Sequence, residues 1–294
     1  MGPQHLPVLL EEALEALAVR PGGFYVDGTL GTAGHARAIL ERSAPDGRLL
    51  ATDRDGETLE SAREALAPFG ARVRTCHADF REIPALLAGE RPDGVLLDLG
   101  VSSVQLETPE RGFSFRTDGP LDMRLDRSRG APASEAVNRL PERTLADIVH
   151  ALGEEPRARR VARAIVEARR RAPVRTTGEL AAIVRRVARG RAGLDAATRT
   201  FQALRIHVNR ELEGLGAALE ALALCLADGG RLVVISFHSL EDREAKTSLR
   251  ELSARGFRVL TRKPLRPGED ELRRNPRARS ARLRAVERQR AEAA

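Results

Sequence analysis

The feature that most constrains this chain is a rhythm in its first hundred residues. Runs of five or six residues, mainly apolar in all but the third, alternate with longer amphipathic stretches, and an aspartate stands at or near the end of each. The runs are 23–27, 48–53, 73–77 and 94–98; helices are predicted near 8–19 and at 35–42, 56–67 and 81–88. Runs that are apolar throughout, rather than alternately, suit strands buried on both faces. A helix between successive strands makes each pair parallel. An α/β chain with a parallel sheet is therefore expected.

The rhythm stops near residue 104. Residues 107–132 mix Gly, Pro, Arg and Asp and read as loop. Three helices follow, with apolar stripes at Leu145, Ile148, Val149 and Leu152, at Val161, Ala164, Ile165 and Ala168, and at Leu180, Ile183, Val184 and Val187. Thr176 and Glu179 have capping-box spacing for the third. One long helix is predicted over 196–226, then a strand at 231–236 and a hairpin from 257–261 and 283–286. The expected organisation is a discontinuous α/β domain, residues 1–106 and 201–294, with an all-helical domain inserted at 107–200.

Chemistry concentrates at the predicted strand ends. Asp27 opens a strand-to-helix turn with glycines at 28, 31 and 34, which let the backbone approach a ligand and lead into a helix N-terminus. The spacing is not that of the G-x-G-x-x-G dinucleotide fingerprint. Asp53 closes the second strand, where a carboxylate can accept both hydroxyls of a ribose. Asp79-Phe80 closes the third strand, offering a carboxylate or backbone contact and a ring face for adenine, and Asp98 closes the fourth. In open α/β sheets such strand ends line the ligand crevice. The pattern suggests an adenosyl ligand, either a nicotinamide dinucleotide or S-adenosylmethionine. Asp27 would repel a pyrophosphate and suits a cationic amino or sulfonium group, which favours the methyl donor.

Several classes are excluded. No apolar run approaches the roughly 18–20 residues that span a bilayer. Glu11, Glu12 and Glu15 stand where a secretion signal would need basic and apolar residues, so a cytoplasmic location is expected. Two cysteines and six histidines without ligand spacing support neither a disulfide framework nor zinc, and no metal is expected. Charge is uneven: residues 243–294 carry 16 Lys and Arg against 7 Asp and Glu, whereas the whole chain nets +7. A basic end on a nearly neutral body suits a polyanion, most simply nucleic acid, although a solvated tail has the same composition.

The stretches His5-Leu6-Pro7-Val8-Leu9-Leu10, Asp27-Gly28-Thr29-Leu30-Gly31, Asp98-Leu99-Gly100-Val101-Ser102-Ser103 with Gln105-Leu106, and Arg111-Gly112-Phe113-Ser114-Phe115 resemble the bacterial MraW/RsmH family. So do Gly119 to Arg124, Gly153-Glu154-Glu155, Phe201 to Ile206 with Asn209 to Leu212, Ser236 to Arg243, and Asn275 to Arg284. The resemblance implies a class I, Rossmann-like methyltransferase fold and transfer of a methyl group from S-adenosylmethionine to N4 of a cytidine in the decoding (P-site) region of 16S rRNA. The partner is then 16S rRNA, within the small ribosomal subunit. Oligomeric state is left open. Ala33 departs from the family, which tends to have Gly there.

Carried onto this chain, the resemblance places the cofactor against Ala33, Gly34, His35, Asp53, Phe80, Asp98 and Gln105. Asp27 and Gly31 join them from the reading of the strand ends. For the transfer, Asp98 or the carbonyl of Leu99 is expected to accept from the cytosine N4–H, with Ser102 or Ser103 assisting; Asp98 serving only the cofactor is the alternative. Phe113 and Phe115 share a loop with Arg111, Arg116 and Arg124, so a base could stack between arginines that hold phosphates; packing is the alternative. Asp122, Arg124, Asn209 and His238 complete the expected substrate side. Arg159, Arg160, Arg163, Arg169 and Arg170 form either a solvated helix face or an RNA-facing one. A nicotinamide-dependent oxidoreductase and a non-catalytic RNA-binding protein are the rival classes.

Overall fold

A computed structural model describes residues 6–190 and 194–290; His5 lies outside the described residues. Seven strands form one sheet: β1 (Phe24–Asp27), β2 (Arg48–Asp53), β3 (Val73–His77), β4 (Gly94–Asp98), β5 (Arg231–Ser236), β6 (Phe257–Val259) and β7 (Arg282–Arg288), in the order β3-β2-β1-β4-β5-β7-β6. The first five are parallel, and β7 runs antiparallel between β5 and β6. This is the Rossmann-like α/β sheet that the alternation predicts. The order reverses at β1 and β4, the position at which open α/β sheets bind ligands beyond the strand ends.

The chain divides into two compact units, residues 1–100 with 214–294, and residues 101–213. In the first unit, α1 (Leu10–Leu17), α2 (Gly34–Arg42) and α3 (Gly56–Leu66) pack on the strands. Their side chains share a core with Tyr25, Leu49, Leu96, Val233, Ile235 and Leu283. The alternate strand residues Val26, Leu50, Val95, Leu97, Leu232 and Val234 are equally buried. Double-sided burial explains why those runs are apolar without interruption. The short helix α4 (Ile83–Leu86) also belongs to this unit.

The second unit is helical: α5 (Ser103–Glu107), α6 (Ala133–Arg139), α7 (Glu142–Gly153), α8 (Ala158–Arg169), α9 (Thr177–Arg185) and α10 (Thr198–Asn209). The predicted stripes of α7, α8 and α9 meet in one core with Phe201 and Leu204 of α10. The Thr176–Glu179 capping box forms as its spacing predicts.

One long helix over 196–226 is corrected. It is two helices, α10 and α11 (Leu215–Cys225), separated where Arg210 and Gly214 take left-handed backbone, φ 49° and 64°. The apolar period runs through the break, so periodicity could not reveal it. Because α10 packs in the helical core, the units divide at 213/214 and at 100/101 rather than at 200 and 106. A helix the sequence reading omitted, α12 (Ser239–Glu251), follows β5 in the first unit, and α13 (Glu269–Arg274) precedes β7.

Candidate active site

The first unit brings Asp27, Gly31, Ala33, Gly34, His35, Asp53, Phe80 and Asp98 to one end of its sheet. Asp27 and Asp98 close the adjacent strands β1 and β4, and Asp53 closes β2 on the other side of β1. The turn after β1 is pinned across all three. Leu30 N–H donates to the Thr52 carbonyl at 3.0 Å, Gly28 N–H to the Leu96 carbonyl at 2.9 Å, and Asp98 N–H to the Thr29 hydroxyl at 2.6 Å. A Cβ on Gly28 would collide with Leu97, so only glycine lets the turn pass so close to the strands. Ala33 is fully buried and left-handed at φ 63°, a conformation glycine adopts without penalty. The structure thus gives a backbone reason for the glycine the family tends to have.

The three carboxylates differ in their partners. Asp53 accepts from Gly31 N–H on one oxygen and from Asp55 N–H on the other, both at 2.8 Å. Each oxygen keeps a second lone pair, as two ribose hydroxyls would require. Asp27 accepts from Thr29 N–H at 3.1 Å through Oδ1, while its buried Oδ2 has no hydrogen-bond partner. Asp98 Oδ1 is likewise buried without one, although the side chain as a whole is 24% exposed. Burial pushes the Asp27 carboxyl up to about 7, against the Thr29 N–H that favours its ionised form and with a further rise from Asp53. Asp53 is pushed up to about 6 by burial, opposed by the two N–H groups it accepts from. Burial, then the charges of Asp27 and Glu241, hold Asp98 well above the ordinary carboxylate range. Buried acids with unmet acceptors favour a cationic ligand and resist a pyrophosphate. The amino and sulfonium groups of S-adenosylmethionine fit that donor-poor, acid-rich crevice.

His35 is buried on α2, its Nε2 3.0 Å from the Val8 carbonyl and its Nδ1 3.7 Å from Asp98 Oδ2. Nε2 therefore carries a proton, and Nδ1 is turned towards the acid. Phe80 is buried with its Cβ beside Gly28, and the Arg81 guanidinium lies 4.5 Å from its ring centre. Asp79 is corrected: it lies two residues beyond β3, caps the 3₁₀ turn at 80–82 and is paired with Arg81 at 2.8 Å. Of the four acids expected at strand ends, this one is a cap.

Several expected residues of the substrate side have structural roles. In the helical unit, Ser102 and Gln105 form a capping box at the start of α5, each side chain accepting the other's backbone N–H. Phe113 is buried in the helical core, and Phe115 meets Phe201 edge-to-face at 4.7 Å with Arg185 over its ring. The packing alternative holds for Phe113, because a core ring has no face free for a base. Arg111 is buried and donates to the Arg124 and Leu125 carbonyls, so it supports the loop rather than a phosphate. Asp122 and Arg124 are paired through two hydrogen bonds at 2.8 and 2.9 Å. Asn209 is also buried; its oxygen accepts from Leu125 N–H and its nitrogen donates to the Met123 and Arg205 carbonyls. That amide fastens the 120s loop to α10. Arg169 donates to two backbone carbonyls, whereas Arg159, Arg160, Arg163 and Arg170 are exposed.

In the first unit, His238 caps α12 through Glu241, whose Oε2 accepts from Phe237 N–H at 2.9 Å. Glu241 is the residue the sequence reading missed. It is 2% exposed and its charge acts on Asp98. The His-x-x-Glu spacing at the end of a predicted strand was the available signal.

No helix among the described residues is long and apolar enough to cross a membrane. The sequence matches the MraW methylase family over residues 2–289. It is 49% identical to "Ribosomal RNA small subunit methyltransferase H" of Syntrophus aciditrophicus, covering 97% of each chain. Proteins of the same name from a Cyanothece species and from Acidobacterium capsulatum are each 50% identical; the match covers 97% of this chain and 94% and 98% of theirs.

Proposed function

The chain belongs to the MraW methylase family, whose methyl donor is S-adenosylmethionine, and from that premise we propose that it methylates N4 of a cytidine in the decoding (P-site) region of 16S rRNA. The observation that carries the donor site is the pair of unpartnered, buried oxygens on Asp27 and Asp98 beside the pinned turn 28–34. Turn 33–35, Asp53 and Phe80 are the remaining donor contacts, and Gln105 is carried from the family pattern.

The bound donor supplies an activated methyl carbon; the protein's task is to prepare the nucleophile. Cytosine N4 is a poor one because its lone pair is delocalised into the ring. An acceptor aimed at an N4–H strengthens as the nitrogen becomes tetrahedral and cationic, so it stabilises the transition state more than the ground state. We assign this role to Asp98; its buried, unpartnered oxygen and the His35 Nδ1 3.7 Å from its other oxygen support the reading. A carboxyl that holds protons more tightly than usual also accepts the one N4 must shed after transfer. Ser102, its hydroxyl engaged in a cap, is the weaker candidate.

The helical unit is assigned to substrate recognition through its exposed arginines. The basic 243–294 segment is assigned to the rRNA backbone, within the small ribosomal subunit. The test is methylation of small subunits and of free 16S rRNA with labelled S-adenosylmethionine, followed by nucleoside mass spectrometry. N4-methylcytidine from one decoding-region position is expected. Label at C5, on another base or on a different region refutes the assignment while leaving the family intact.

A further inference from the structure

Residues 6–9 run across the cofactor turn. Pro7 sits over Gly34 so closely that a Cβ there would overlap its ring. The Val8 carbonyl is the partner of His35 Nε2, and both Val8 and Leu9 are buried. Leu9 takes left-handed backbone at φ 53°, a conformation disfavoured for any residue with a Cβ. Burial of Val8 and Leu9 and the His35 bond hold the strap down against the strain at Leu9, and further bonds to its backbone add to that hold.

Those further bonds come from a segment more than 260 residues away in sequence. Leu9 N–H donates to Glu271 Oε1 at 2.8 Å, and Asn275 Nδ2 donates to the Leu6 carbonyl at 3.2 Å. Glu271 lies on α13 and Asn275 is its C-cap. Both are firmly based, because Leu272, Ala278 and Ala281 seat this segment on the core of the first unit.

We infer that Glu271 and Asn275 are positioning residues for the methyl donor, latching residues 6–9 over turn 33–35 so that the donor is held tightly only while the strap is down. The inference rests on the donor lying against that turn. Apparent affinity then scales with the fraction of molecules whose strap is closed. Neither side chain touches the donor, so the latch governs retention rather than chemistry.

The test is calorimetric titration of the full chain with S-adenosylmethionine, alongside initial rates on rRNA. Glu271→Ala should weaken binding by up to about tenfold, the limit set by loss of one hydrogen bond to a carboxylate, and Asn275→Ala, which loses a longer and exposed bond, by up to about threefold. The KM for the donor should rise by the same factor, with kcat at saturating donor unchanged. Glu271→Gln keeps an acceptor oxygen and should return affinity to within about threefold of the parent. Asp53→Ala serves as the control. Weakened binding by Asp53→Ala beside unchanged binding by Glu271→Ala overturns the latch alone. Unchanged binding by both overturns the crevice as the donor site and the latch with it. If Glu271→Ala does not fold, Asn275→Ala is read by the same criteria.

Discussion

Replacing Asp27 by asparagine should make the protein more stable at pH 8 and, in the same step, a poorer binder of its methyl donor. Burial raises this carboxyl from 3.8 to about 7 in the folded chain, so the fold keeps a proton that the unfolded chain has already released. The stability linked to that proton is fully present below about pH 4 and is lost as the pH climbs through 7. A difference of about three units, at about 1.36 kcal/mol each, makes the ionised acid cost the fold on the order of 4 kcal/mol at pH 8. Asparagine cannot ionise and still offers an oxygen to Thr29 N–H. Its amide nitrogen, standing where Oδ2 lacks a partner, returns roughly 1–3 kcal/mol of that gain. The net expectation is a stabilisation of roughly 1–3 kcal/mol at pH 8 and little change at pH 5. Urea unfolding of parent and variant at both pH values measures it. The parent midpoint should fall between pH 5 and pH 8 and the variant's by less, the remaining fall coming from Asp53 and Asp98. With saturating S-adenosylmethionine the order should reverse, because the donor stabilises only the protein that binds it well. A parent whose stability is flat from pH 5 to 8, with the variant weaker at both, would refute the claim that Asp27 is an unmet buried acid.

In the parent, donor affinity should rise with pH through the range near 7 as Asp27 ionises, and calorimetry at pH 5.5 and 8 should show it. Asp53→Ala should weaken the donor by on the order of 1.5–3 kcal/mol through loss of charged hydrogen bonds to a ribose; unchanged affinity in a folded variant removes Asp53 from the site. Asn209→Ala should destabilise the protein by roughly 2–4 kcal/mol, since three buried bonds are lost with two backbone groups left unmet; thermal melting checks this, and an unchanged midpoint would return Asn209 to the substrate. Replacing exposed Arg266, Arg274 and Arg279 by Gln should lower rRNA affinity and flatten its dependence on salt by roughly two in logarithmic slope, with donor affinity intact.

The sheet was legible because its central strands β1, β2, β4 and β5 are buried on both faces and read as short apolar runs, and the alternation with helices carried the more polar edge strand β3 with them. Runs 48–53, 73–77, 94–98 and 231–236 are strands at those bounds. Where backbone rather than side-chain pattern decides, legibility failed. The break at Arg210 and Gly214 depends on two left-handed residues, and only one of them is glycine. The strand-end positions of Asp27 and Asp53 were readable, while that of Asp79 was not, because a cap and an acid that closes a strand have the same residue type two positions apart. Phe113 and Arg111 share one reason: a polar loop with aromatic and basic residues looks like a binding loop, yet here Phe113 is packed in the helical core and Arg111 donates to backbone carbonyls. Asn209 differs, because a polar residue on a helix gives no sign in the sequence that it will bond to a distant loop. The strap was invisible, since Leu9 and Glu271 meet only in the fold.

The placement of β7 between β5 and β6 bears on how the protein is made. β5 is paired on one side by β4, but its other edge stays open until residues 282–288 have been synthesised and have left the ribosome. Through the manufacture of some fifty intervening residues, the apolar strand Arg231–Ser236 offers a bare row of amides and carbonyls to any extended chain nearby. In the finished fold Leu265 bridges Leu283 on the edge of β7 that faces away from β5. The nascent protein thus has a vulnerable interval built into its strand order. Variants that slow or weaken the arrival of β7 should be lost to aggregation during expression well before any defect in purified enzyme is measurable.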